Sequence, residues 1–221
     1  MLLLLFVFFP FDIFSHPNDE RLLKLSRSEA ASMYLKLGFT HIVPLGLDHI
    51  LFVISLFLLN PKLKSVLWQA TAFTVAHTIT LGWATYQATY CESGTNDIAI
   101  SPNIIEPVIA LSIMFVAVEN IITDKLKSWR IFIVFAFGLI HGFGFAGALA
   151  DLGMPKNKFT LSLITFNVGV ELGQIAIILL MWLLIGWFKD KPWYRKRIVI
   201  PLSALIAIIA LYWTIERTFF M

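Results

Sequence analysis

Residues 39–59 read FTHIVPLGLDHILFVISLFLL, and this stretch decides what kind of protein the chain forms. It has the length of a membrane-spanning helix, which needs roughly 20 mostly apolar residues. Asp48 is its only formally charged residue, and His41 and His49 lie on either side of it. The stretch therefore predicts a helix that crosses a membrane while keeping ionisable side chains inside it.

Five further apolar stretches of similar length follow, at residues 66–88, 103–122, 131–150, 159–188 and 198–213. The chain has 221 residues, of which 58% are hydrophobic and 14% are charged. A soluble domain of this size could not bury that much apolar surface in one core. We therefore predict an all-α fold, a polytopic bundle of about six transmembrane helices whose main partner is the lipid bilayer.

Two segments precede this six-helix domain, which is predicted over residues 39–221. Residues 1–15 contain a short apolar run and are similar to a secretory signal, with an uncleaved interfacial segment as the alternative. Residues 16–38 are polar and are expected to be exported. We expect them to form an amphipathic helix on the membrane surface, with Asn18 as its N-cap.

Basic residues are concentrated in alternate loops. In the two loops at 89–102 and 151–158, the only basic residues are Lys156 and Lys158. The other three loops contain ten basic residues: Lys62, Lys64, Lys125, Lys127, Arg130, Lys189, Lys191, Arg195, Lys196 and Arg197. By the positive-inside rule these three loops are cytoplasmic, which predicts a bacterial inner-membrane protein with both termini outside the cytoplasm. The formal charge of +3 is small and forms no stripe with interleaved aromatics, so nucleic-acid binding is not expected.

The predicted helices contain an unusual number of ionisable side chains. Such groups are costly in lipid, so they normally face the bundle interior and either pair or serve a function. The single cysteine, Cys91, excludes a cluster of thiolates, and imidazole with carboxylate suits Ni, Co, Zn or Cu(II). By helix position, a common polar centre is geometrically possible near the membrane midplane or in its outward half, with His41 about 10 Å nearer the surface than Asp48. Its candidate members are Asp48, His49, His77, His141 and Glu171.

Four other polar residues are predicted to support this site. Asn167 and Gln174 share one stripe of the fifth helix with Glu171, because they are spaced i, i+4 and i, i+3. Glu106 and Glu119 belong to the third helix. Glu119 is at its cytoplasmic end, where we expect the carboxylate to reach the lipid headgroups, with a gating role as the alternative.

Three interpretations of these residues stay open on the sequence pattern. The residues hold the helices together as a polar network, or they line a pathway for a metal ion. In the third interpretation they bind a metal ion that activates water in an intramembrane hydrolase. No catalytic residue is predicted. No ATP-binding loop is recognisable, so transport would be passive, driven by the membrane potential or coupled to protons. The pairs Gly138/Gly142 and Gly169/Gly173 predict close helix packing beside His141 and Glu171.

Five short segments carry a family resemblance, in order along the chain. They are GFTHIVPLGLDHILF at 38–52, TAFTVAHTITL at 71–81, AVEN at 117–120, FGLIHGFGFA at 137–146 and FNVGVELGQ at 166–174. Together they resemble the HupE/UreJ family of membrane proteins. The resemblance implies a permease-like protein linked to hydrogenase and urease accessory functions, hence to nickel or cobalt uptake. It also implies that His41, Asp48 and His49 are signature metal-site residues, with His77, His141 and Glu171 as partners from other helices.

Overall fold

The computed structural model describes residues 20–90 and 101–220. Every regular element in these residues is helical, which confirms the predicted all-α fold. Three short turns of 3-10 or π type lie at Lys156–Lys158, Gly186–Phe188 and Arg195–Val199. The α-helices are α1 (Glu20–Lys24), α2 (Arg27–Ile42), α3 (Leu47–Leu59), α4 (Leu63–Tyr90), α5 (Pro102–Ile122), α6 (Arg130–Leu152), α7 (Phe159–Ile185) and α8 (Ile200–Phe219). The signal-like segment 1–15 lies outside the described residues.

The lengths and apolarity of these helices identify an integral membrane protein. Four segments are long and apolar enough to span a bilayer: Pro102–Ile122, Arg130–Leu149, Lys156–Phe188 and Arg195–Phe219. The pair α2–α3 passes the same test when it is taken together. α4 has 28 residues but carries Gln69, His77 and six threonines, so it has the required length and a lower apolarity. Together these helices agree with the prediction of about six.

The first predicted helix, residues 39–59, is not continuous. α2 ends at Ile42, α3 begins at Leu47, and the two axes are bent by 68°. Pro44 explains the break, because proline cannot donate the helical hydrogen bond and disfavours helical geometry in the residue before it. At Gly46 an added Cβ would collide with the carbonyl oxygen of His41, so the turn requires glycine. The prediction of one continuous helix over residues 39–59 was wrong.

The polar segment before this break also differs from the expected surface helix. Ser26 caps α2 by accepting a hydrogen bond from the Glu29 backbone N–H, and the Glu29 side chain accepts one from the Ser26 N–H. α2 then packs along α7, since Gly38 lies against the Phe166 backbone and Gly169 lies against Leu35. Its residues therefore belong to the helical bundle, and Asn18 lies outside the described residues.

Glycines also join α4 to α6. A Cβ added at Gly138 would lie 2.5 Å from the Phe73 carbonyl oxygen, and one added at Gly142 would collide with Thr80 and with the His77 carbonyl. The close packing predicted from glycine spacing is thus confirmed on α6. On α7, a Cβ at Gly173 would lie 2.7 Å from Ile42 of α2, which confirms the second glycine pair.

α3 lies among the three helix pairs α2–α7, α4–α6 and α5–α8 and packs against α4, α5, α7 and α8. Its buried face includes Phe52, Leu56 and Phe57, each no more than 1% exposed. The segment before α8 closes one end of this arrangement. There, Arg195 donates to the carbonyls of Asn120, Ile121 and Thr123 at the end of α5.

Tyr194 ties the same segment to the end of α3. Its hydroxyl donates to the Leu58 carbonyl at 3.3 Å, and the residue is 6% exposed. Burial disfavours the charged phenolate and raises the pKa of Tyr194 to about 12. The hydroxyl therefore stays a neutral donor, and this contact holds throughout the physiological pH range.

Candidate metal centre

Three histidines from three different helices meet inside the bundle. His41 is in the last turn of α2, His49 is in the first turn of α3, and His77 is at the middle of α4. One ring nitrogen from each lies within 4.8 Å of the other two. Two nitrogens on opposite sides of one ion lie about 4 Å apart when each metal–nitrogen bond has its usual length. The three imidazoles are therefore spaced almost as ligands of a single ion.

The bend between α2 and α3 creates this arrangement. In a straight helix, residues 41 and 49 would be separated by about 12 Å along the axis. The 68° bend instead brings the centroids of the two imidazole rings to 4.7 Å. The break that was not predicted is thus the feature that assembles the site.

Hydrogen bonds orient two of the imidazoles. Asn167 donates through Nδ2 to the Leu163 carbonyl at 2.9 Å, so its Oδ1 faces His77 Nδ1, at 3.2 Å, as an acceptor. In α6, the Phe137 carbonyl lies 2.8 Å from Nδ1 of His141. An acceptor at Nδ1 requires the proton there, which leaves the lone pair of Nε2 available to a metal ion.

The Nε2 atoms of all four intramembrane histidines are buried. None of them has a hydrogen-bond partner within residues 20–90 and 101–220. Leaving a buried polar atom unpaired typically costs about 1–3 kcal/mol. Four such atoms in one region are therefore better explained by a ligand than by packing alone: His41, His49, His77 and His141.

His141 stands beside the three-histidine group. Its ring centroid lies 5.3 Å from that of His49, and the residue is 1% exposed. Among the described residues, the group whose ring nitrogens lie within 4.8 Å of one another consists of His41, His49 and His77. His141 is thus a close neighbour of the three-histidine group and not a member of it.

Phenylalanines enclose the imidazoles. Phe145 lies over His41 with ring centroids 3.8 Å apart, and Phe166 stacks on Phe145 at 5.4 Å. Phe73 lies 4.9 Å from His141, and Phe52 lies 5.0 Å from Phe73.

None of these aromatic residues was predicted to belong to the site. The signal was present in the sequence, since Phe73 and His77 are spaced i, i+4 on one helix face, as are Phe137 and His141. Phe73, one turn before His77, does contact the rings of His49, His77 and His141.

Asp48 does not share the site with His49. Its carboxylate oxygens accept from Arg217 Nη2 at 3.1 and 3.2 Å, and Arg217 Nε lies 3.8 Å from the Glu106 carboxylate. Consecutive helical residues point about 100° apart, so Asp48 faces α8 while His49 faces α4 and α6. Asp48 and Glu106 thus belong to an ion-pair network around Arg217, which the sequence pattern did not reveal.

The predicted stripe on α7 does face the site, through α4. Asn167 bonds His77, Glu171 accepts from the Thr71 hydroxyl at 2.7 Å, and Gln174 donates to Thr74 at 3.2 Å. The Oε2 atom of Glu171 is buried without a hydrogen-bond partner among the described residues. Glu171 is outside the three-histidine group but keeps one carboxylate oxygen available.

Glu119 was predicted to reach the headgroups and is instead 4% exposed. Its carboxylate forms an ion pair with Arg130 at 3.1 Å, in a geometry that makes no hydrogen bond. Arg130 is 1% exposed and donates to the Asn120 side-chain oxygen at 3.1 Å, and Asn120 donates to the Ser55 carbonyl at 2.8 Å. Arg130, predicted as a loop residue, is therefore a buried partner of Glu119.

The sequence matches a known family over most of its length. The family model described as HupE / UreJ protein matches residues 18–217. Neither a curated protein nor a solved structure shows significant similarity.

Proposed function

The chain belongs to the HupE/UreJ family, and we propose that it is a permease that binds a divalent transition metal ion at His41, His49 and His77 and moves it across the membrane. Membership implies a role related to nickel or cobalt as accessory protein or permease. The observation that carries the proposal is the convergence of three imidazoles, one ring nitrogen of each lying within 4.8 Å of the other two. The Nε2 atom of each of these histidines is also buried without a hydrogen-bond partner in the described part of the chain.

The donor set supports a transition metal. Imidazole nitrogens suit Ni, Co, Zn and Cu(II), whereas Mg and Ca prefer oxygen ligands. The acceptors at Nδ1 of His77 and His141 are of the kind that hold metal-ligating histidines in position. His141 Nε2 and the unpaired Glu171 oxygen are the further donors that would complete the coordination or accept the ion next.

The position of the site supports passage. It lies inside the helical bundle, between the Arg217–Asp48–Glu106 network at one end and the Arg130–Glu119 pair at the other. Secondary transporters commonly hold their substrate near the bilayer midplane, between the two faces.

Direction follows from the predicted orientation. With ten basic residues on the cytoplasmic side, the Arg217 end faces outward. A negative interior potential then favours inward movement of a divalent ion by about 5 kcal/mol per 100 mV. We propose an inner-membrane location in a bacterium and uptake as the physiological direction.

Uptake of Co²⁺ into proteoliposomes tests the proposal. Purified wild type and His49→Ala are reconstituted, an inside-negative potential is imposed, and a trapped chelating dye reports entry. We expect wild type to take up Co²⁺ and His49→Ala to lose at least about tenfold of the initial rate, because one of three ligands is gone.

Thr78→Ala is the matched control, because Thr78 follows His77 on α4 and its hydroxyl bonds to the Thr74 carbonyl of the same helix. It should transport like wild type. Equal uptake by wild type and His49→Ala would contradict the proposal. Tight binding of one Co²⁺ per chain without uptake would contradict transport and favour a metal-dependent hydrolase or an accessory subunit.

A further inference from the structure

Arg217 holds the acidic residue that directly precedes His49. Its Nη2 atom donates to both carboxylate oxygens of Asp48, and its Nε lies 3.8 Å from Glu106. Nη1 donates to the Glu106 backbone carbonyl at 3.4 Å. One guanidinium from the last turn of α8 therefore bridges the first turn of α3 and the second turn of α5.

This network is placed to attract a cation toward the histidines. Two carboxylates face one guanidinium, so the three groups carry a net charge of −1. Asp48 and His49 are consecutive in the first turn of α3, so the carboxylate and the imidazole leave the same helical turn, on faces about 100° apart. In this structure, however, the Asp48 carboxylate is paired with the guanidinium of Arg217.

The exposure of these groups makes the contact breakable. The side chains of Arg217 and Asp48 are 17% and 25% exposed, and that of Glu106 is 35% exposed. The side chains of Arg130 and Glu119, by contrast, are 1% and 5% exposed. The Arg217 network is therefore the more accessible of the two, and its groups have more room to change partners.

The guanidinium also contacts an aromatic ring while it is paired with Asp48. Arg217 Cζ lies 5.2 Å from the centre of the Trp213 ring, one turn back on the same helix face. Stacking on an indole stabilises a guanidinium by a cation–π interaction. Leaving Asp48 therefore does not require Arg217 to enter lipid or to lose all its contacts.

We propose that Arg217 controls access to the histidine centre by occupying Asp48. A divalent ion approaching from this end displaces Arg217 from the carboxylates, is held briefly by Asp48 and Glu106, and passes to His49. While Arg217 is paired, its positive charge beside the centre repels an entering cation. This inference rests on the proposed function, since it assigns an entry step to the same metal site.

The rate of Co²⁺ binding measures this step directly. Stopped-flow absorbance of the cobalt d–d band on purified protein in nanodiscs gives the association rate, and titration of the same band gives the equilibrium affinity. We expect Arg217→Gln to raise the association rate by about tenfold or more, because the competing cation is gone. Arg217→Lys keeps the charge and should stay close to wild type.

Two variants separate access from structure. Glu216→Gln removes a neighbouring charge on α8 that contacts Tyr212, and it should leave the association rate unchanged. Asp48→Asn combined with Arg217→Gln removes both charges; we expect an association rate above that of wild type and below that of Arg217→Gln. If this double variant instead returns to the wild-type rate and melting temperature, the pair is structural and the proposal is overturned.

The outcome also distinguishes this proposal from the proposed function. Histidine-dependent Co²⁺ binding with an unchanged or slower association rate in Arg217→Gln would overturn the access role alone. Absence of Co²⁺ binding in wild type and in all variants would overturn the metal site and the access role together. Faster binding in Arg217→Gln that is abolished by His49→Ala supports both.

Discussion

At the scale of single residues, the site depends on which ring nitrogen of each histidine is available. The sequence predicted the four intramembrane histidines as ligands, because imidazoles in lipid need a reason to be there. It could not predict their orientation. His77 is set by Asn167, 90 residues away, and His141 is set by a carbonyl of its own helix.

Asn167 provides a prediction at this scale. Asn167→Leu removes the acceptor at His77 Nδ1, so the ring is free to rotate and to place its proton on Nε2. We expect the Co²⁺ affinity of purified protein to fall about 10–100-fold, the usual cost of losing such a partner. Isothermal titration calorimetry in detergent measures the change.

Asn167→Asp is the matched variant, because it keeps an oxygen acceptor of the same size. Its Co²⁺ affinity should equal or exceed that of wild type. If Asn167→Leu binds Co²⁺ as tightly as wild type, the hydrogen bond to His77 does not organise the site.

Asp48 shows where residue patterns reach their limit. Its position beside His49 predicted a shared site, although the helical offset of about 100° already separated the two directions. The partner that decides its role is Arg217, 169 residues further along the chain. No local pattern connects these two residues, because their contact depends on how α3 and α8 pack.

At the scale of helices, apolar length predicted most of the elements and missed the decisive break. Pro44 and Gly46 were visible in the sequence, but proline is tolerated in many membrane helices, where neighbours satisfy the freed backbone groups. The bend at this point is what brings His41 to His49. The sequence signal for this site was therefore a proline and a glycine between two histidines, because a helix break there can bring the two imidazoles together.

Glycine packing gives the prediction for this scale. In Gly142→Ala the new methyl group would collide with Thr80 and with the carbonyl of His77, so α4 and α6 must separate. We expect a loss of about 1–3 kcal/mol in stability, as is typical of overpacking, together with weaker Co²⁺ binding. A thermal melt in detergent, with and without Co²⁺, measures both effects.

Gly147→Ala on the same helix is the control, because no described atom lies within 4 Å of the added Cβ. Alanine also favours a helix over glycine by about 1 kcal/mol, so this variant should melt at or above the wild-type temperature. An equal loss in the two variants would mean that the contact with Thr80 and His77 does not explain the effect of Gly142→Ala.

At the scale of the whole molecule, two charged networks lie on either side of the histidine centre. The network of Arg217 joins the first turn of α3 and the second turn of α5 to the last turn of α8. The network of Arg130 joins the last turn of α5 to Ser55. Thirteen residues of α5 separate Glu106 from Glu119, which is about 20 Å along the axis. The sequence indicated both acids, but not their basic partners.

The Arg130 network differs from the Arg217 network in its burial, and this difference predicts different consequences. Glu119→Gln leaves the guanidinium of Arg130 buried without a counter-charge, which typically costs about 3–5 kcal/mol. We expect a large drop in melting temperature in detergent. No histidine lies on α5, and His141 is 11 residues from Arg130, about 16 Å along the axis of α6. The folded fraction should therefore bind Co²⁺ with an affinity within about threefold of wild type, as expected for independent sites.

Replacing both partners separates the cost of a lone charge from the contribution of the pair. Glu119→Leu combined with Arg130→Met removes both charges and keeps apolar volume at a site where each wild-type residue is at most 4% exposed. We expect this double variant to recover most of the stability lost in Glu119→Gln, since apolar replacements of buried pairs are often neutral. If the double variant melts as low as Glu119→Gln, the pair itself holds α5 to α6. If Co²⁺ affinity falls in parallel with stability, the two ends of the bundle are coupled through α3.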